Sequence, residues 1–171
     1  MSFASFLASD SPMREVENLH IQLFSVNEAL EKGIDVPSLL LESSTIDKDK
    51  PGVLLWADSE ESMGEITITN AEKSLFRYDN GNLPDTDLQC FSTFEWRYTD
   101  ERANKLVKYI QEHLEKANEL EIWHTWIGSD RSDSEEIKKH SICLDELTVD
   151  EVKKLFEGVQ YDCIAVKKLG G

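Results

Sequence analysis

The clearest periodic signal in the chain lies between Thr99 and Ala117. Ala103, Leu106, Val107, Ile110, Leu114 and Ala117 recur there at helical spacing. Lys105, Lys108, Glu112, Glu115 and Lys116 fall on the other side, so the segment predicts a helix with one dry stripe. Thr99 or Asp100 is placed to cap its start, and Asp100 and Glu101 suit the positive end of the helix dipole. A second helix is expected after Thr148. Thr148 and Glu151 have capping-box spacing, and Leu147 is placed to staple against Val152. Val152, Leu155 and Phe156 form its apolar side, and Gly158 its stop. A shorter helix over Glu28 to Lys32, capped by Asn27 and closed by Gly33, precedes a break at Pro37 and a turn from Ser38 to Leu41.

Period two marks the strands. Leu19, Ile21 and Leu23 alternate with His20 and Gln22, which predicts a half-buried strand with the three aliphatic side chains inward. Val53 to Trp56 is an unbroken apolar run, the pattern of a strand covered on both faces. After an acidic turn from Asp58 to Gly64, Glu65 to Thr69 alternates and is rich in β-branched residues. Leu75 to Tyr78 is placed to pair with it. A dense turn signal follows at Asp79 to Pro84. From Leu88 to Tyr98 one parity is apolar, but Phe91 and Ser92 are out of phase, as a bulge would explain. Leu120 to Ile127 and Ile137 to Leu144 read as strands joined by the polar loop Gly128 to Glu136, and Tyr161 to Lys167 as the last strand. Residues 1–16 show no clear period and are expected as a peripheral N-terminal segment, a short helix leading into a loop at Ser11 and Pro12. Strands neither alternate strictly with helices nor stand alone. The expectation is one α+β domain over residues 1–171, a mainly antiparallel or mixed sheet with helices packed on one face.

Composition adds little to this, because 40% hydrophobic and 30% charged residues lie near the globular range. Charge adds more. The 34 acidic side chains outnumber the 18 basic ones and leave a formal net charge of -16. Such a field repels nucleic-acid backbones and anionic membranes, and it speeds the arrival of basic partners. No apolar run approaches the roughly 18 residues a membrane span needs. Met1 to Asp10 lacks the basic start of a signal peptide. Cys90, Cys143 and Cys163 form no C-x-x-C, and reduced thiols in a cytoplasmic protein are expected.

The motif search excludes more than it finds. Neither phosphate-binding glycine pattern is present, nor G-x-S-x-G, nor H-E-x-x-H, and no cofactor or metal is implied. If Leu120–Ile127 and Ile137–Leu144 pair as a hairpin, an in-phase register sets Ile122 opposite Ile142 and His124 opposite His140. Two facing histidines suit proton transfer, or a metal if a third ligand exists; Cys143 points the other way. Trp123 shares its parity with Glu121, Thr125 and Ile127, a mixed face, and is the candidate for a partly exposed aromatic anchor. Asp130, Asp133, Glu135 and Glu136 on the polar loop are candidate acidic contacts. Together these features favour a protein-binding module, of inhibitor or immunity type, for a basic partner and without nucleic acid. The second reading is a small hydrolase or transferase with a site near His124 and His140, assembled from distant residues.

Overall fold

The computed structural model describes residues 2–76, 84–127, 137–157 and 160–168, apart from the side chains of Ser2, Phe3, Trp126 and Ile127. Its strands are β1 (Ser2–Ser9), β2 (Gln22–Phe24), β3 (Leu54–Trp56), β4 (Thr67–Ala71), β5 (Cys90–Glu95), β6 (Glu119–Ile127), β7 (Lys139–Cys143) and β8 (Cys163–Lys167). Its helices are α1 (Val26–Glu31), α2 (Ser38–Glu42), α3 (Glu60–Met63), α4 (Asp100–Leu114) and α5 (Val149–Glu157). The fold is α+β, with a mixed, mainly antiparallel sheet, as the element order implies. The chain divides into two compact units, Met1–Glu17 with Ile66–Gly171, and Asn18–Glu65.

The larger unit is a six-stranded sheet in the order β4-β5-β1-β6-β8-β7, antiparallel except between β7 and β8. The segment expected at the periphery is an interior strand. β1 pairs with β5 on one side and, from Ser2↔Ile127 to Ser9↔Leu120, with β6 on the other. Its period escapes notice because Phe6, Leu7, Ala8 and Ser9 are all fully buried, so neither parity is polar for the sake of water.

α4 forms as its stripe predicts. Thr99 Oγ1 accepts the Arg102 N–H, and Leu106, Ile110 and Leu114 are fully buried. Tyr109 joins them, while Val107 is only partly covered. α4 and α5 line one core with Ile68, Phe94, Leu120, Ile122, Ile164 and Val166 of the sheet. Thr148 caps α5 by accepting the Glu151 N–H, but the Glu151 carboxylate turns to Lys154 instead of back to the cap.

The expected hairpin does not form. β8 lies between β6 and β7, and β7 runs parallel to β8. Parallel neighbours need a crossover connection, which α5 supplies. Apolar parity is blind to this difference, because Ile164 sits opposite both Ile122 and His140. The sheet's other face is also covered. Phe6, Phe76, Leu88, Phe91, Trp123 and Cys163 form a second core, in which Phe6 stacks on Phe76 at 4.4 Å and on Trp123 at 5.4 Å. No bulge breaks β5: Phe91 fills this second core while Phe94 faces the helices, in continuous register. Phe76 ends a 3-10 turn, Lys73–Phe76, where a strand beside β4 was expected. The turn signal at residues 79–83 lies outside the described residues.

The smaller unit pairs β2 with β3 and carries α1, α2 and α3. α1 starts earlier than expected because Ser25, not Asn27, caps it. Ser25 Oγ accepts the Glu28 N–H while the Glu28 carboxylate accepts the Ser25 N–H. Gly33, at φ 69, closes the turn that follows. Phe24, Ala29 and Leu54 make the core, with Leu40 and Trp56 packed against it. The phase of β2 is thus opposite to the expected one: Phe24 points in, and Leu23 is 61% exposed. β3 is covered on one face only, with Leu54 buried and Leu55 half-exposed.

Candidate functional site

His124 and His140 share one face of the sheet, but β8 separates their strands and they do not form the expected opposed pair. His124 Nδ1 lies 2.8 Å from Ser5 Oγ, and its ring is 4.6 Å from Phe156. Burial holds this imidazole below the usual histidine range, against the pull of Asp162. His140 stacks on Tyr161 at 4.5 Å, and its Nε2 is 3.7 Å from Glu151. Each ring is engaged by local partners. Among the described residues no group of three His, Cys, Asp or Glu is arranged to hold a metal ion.

A third histidine, marked by no motif in the sequence, reaches a serine. His113 Nε2 is 2.7 Å from Ser9 Oγ, the spacing of a nucleophile and its base. The polarity is wrong for that chemistry. Ser9 Oγ gives its one proton to the Glu119 carbonyl at 2.9 Å and accepts the Ser11 N–H. Its remaining lone pair accepts from His113, so the imidazole is the donor. Ser9 is also fully buried. A shallow cavity of about 420 Å³ lies alongside, lined by Arg14, Tyr109, Glu112, His113 and Lys116 among others. Its groups are paired as well: Arg14 with Glu112 at 3.4 Å, and the Tyr109 hydroxyl with the Arg14 carbonyl at 2.7 Å. Burial pushes the Tyr109 hydroxyl up to about 12. Only the distant partner Ser9 makes His113 notable, and no local pattern in the sequence reveals it.

Trp123 is not an exposed anchor. It is fully buried in the second core, because the face it was assigned to is covered. Its indole N–H donates to Glu121 Oε2 at 2.8 Å. Glu121, 2% exposed, forms an ion pair with Lys139, which reaches it from β7 across β8 and sets its ammonium 5.8 Å from the Trp123 ring. Burial works against the Lys139 charge, but the hydrogen bond and charge of Glu121 outweigh it and raise the pKa. Cys163 lies between Trp123 and Lys139 in register, and burial, reinforced by Glu121, raises its thiol out of the reactive range. Asp130, Asp133, Glu135 and Glu136 lie outside the described residues.

The large hydrophobic side chains that the described residues leave open to solvent are concentrated in the smaller unit. Leu19, Leu23, Leu39, Leu55 and three further large hydrophobic side chains are exposed there, against Leu75 alone among the described residues of the larger unit. Leu23 and Leu55 are direct cross-strand partners, 61% and 50% exposed. The same stretch holds ten acidic and three basic side chains, a formal charge of -7. The expected inward phase of Leu19 and Leu23 hid this surface. A unit this small has too little chain to cover both faces of a ribbon, and its shortness is the signal that could have found it. No family model, curated protein or solved structure matches the chain.

Proposed function

We propose that this protein is a binding module of inhibitor or immunity type whose partner is a basic protein. The observation that carries this reading is the net charge of -16, which draws cationic surfaces in and raises their encounter rate. Further support comes from the engagement of the reactive side chains with one another. Ser9, His113, Cys163 and Lys139 are each committed to an internal partner or held in an unreactive form. The hydrolase or transferase reading therefore has less behind it. A reducing, cytoplasmic setting suits the three free cysteines. No helix among the described residues is long and apolar enough to cross a membrane.

The test is capture of partners from an extract of the native host, with the bound proteins identified. Proteins with basic surfaces should be retained at about 0.05 M salt and released as salt rises toward about 1 M, where screening shortens to about 3 Å. Retention of acidic or salt-insensitive proteins alone contradicts the reading. Tight binding of the purified chain to duplex DNA at physiological salt contradicts it equally.

A further inference from the structure

We propose that the partner docks on the Asn18–Glu65 unit through Leu23 and Leu55, and that the docking segment is cationic and amphipathic. Its apolar side chains would seat on the leucine pair, with Lys or Arg around them. This inference rests on the basic-partner reading and gives it a location. Single exposed apolar residues are ordinary and need no explanation. These two differ because they are cross-strand partners in an antiparallel ribbon, so their side chains are neighbours and make one patch. The ribbon's other face is committed to the unit's own core through Phe24, Leu54 and Trp56. The leucines are thus displayed on a backed surface and contribute little to the fold.

Charge decides between occupants. Glu31, Asp35 and Glu42 of the same unit are exposed. Two of its three lysines turn onto the unit itself: Lys32 lies 5.3 Å from the Phe24 ring, and Lys48 donates to the Leu41 carbonyl at 2.8 Å. A second copy of the chain would bring two strongly negative surfaces together. A cationic segment does the reverse and buries the same leucines.

The experiment uses the full chain and two synthetic peptides of equal length and charge. One is an amphipathic Leu-Lys helix former; in the other every Leu is replaced by Ser. At about 0.15 M salt, the Leu-Lys peptide should bind at least about tenfold more tightly than the Ser-Lys peptide. Leu23→Ala/Leu55→Ala should erase that difference and leave Ser-Lys binding unchanged. Leu75→Ala, an exposed leucine of the other unit, should have no effect. Circular dichroism confirms that the variants are folded. If the double variant unfolds, Leu55→Lys replaces it and should weaken the Leu-Lys peptide at least as much. Equal binding of both peptides, or equal loss in Leu75→Ala, overturns the inference and leaves the basic-partner reading in place. A dimer of the free chain that the double variant abolishes also overturns it, by assigning the pair to a second copy. Binding of neither peptide removes the basic-partner reading, and the inference with it.

Discussion

Glu121 carries its charge on a sheet face where its register neighbours are Ala8 and Ala165, so neither adjoining strand offers a polar side chain at that row. Its partners come from the next row, as the indole N–H of Trp123 and the ammonium of Lys139. Removing the ammonium leaves a buried carboxylate without its cation. Lys139→Met should cost roughly 1–3 kcal/mol, less than for a fully buried pair because a third of the Lys139 side chain is open to water. Adding Glu121→Gln should restore most of that loss, since a neutral amide still accepts from Trp123 and leaves no charge stranded. Urea denaturation of the three proteins checks this. A double variant no more stable than Lys139→Met alone contradicts it.

Among the elements, α4 has the plainest energetic consequence. Ile110 is fully buried at the middle of its stripe, and Ile110→Ala should cost roughly 2–5 kcal/mol in a denaturant titration. A loss under about 0.5 kcal/mol is what a surface position gives and contradicts the packing. α4 was legible because water lies along one side of it, so polar and apolar residues segregate. β1 was not, because both of its faces are dry. The parity of Trp123 was read correctly, away from Ile122, but parity does not say whether the second face is covered. The histidines' shared face was legible for the same reason that their adjacency was not: inserting β8 as a further strand preserves every side chain's face. Around β2 the alternation of Leu19, Ile21 and Leu23 pointed to the opposite phase. The Phe24 ring, packed at 6.3 Å from Trp56, sets the phase instead and turns Leu23 out to solvent.

For the whole molecule, acid should act before the carboxylates titrate. Burial holds His113 and His124 below the ordinary histidine range, with Asp10 and Asp162 opposing it in part. Between about pH 6.5 and those lowered native values the unfolded chain binds more protons than the folded one, so stability falls as pH falls. The melting temperature should therefore drop between about pH 7.5 and pH 5.5. It should drop less in His113→Gln/His124→Gln, a comparison that removes the effect of titrating the remaining charges. Parallel curves for the two proteins contradict the assignment. The central place of β1 also bears on how the chain is made. Phe6 and Leu7 leave the ribosome before the rest of the sheet, and their partners Trp123 and Ile122 are added more than a hundred residues later. At roughly 5–20 residues per second, that is a wait on the order of 5–20 seconds. Until β5 emerges with the partners of its other edge, the strand that will hold the sheet together is an unpaired apolar segment on a nascent chain, and one edge stays open until β6 follows, so this interval is when the protein most needs a chaperone's cover.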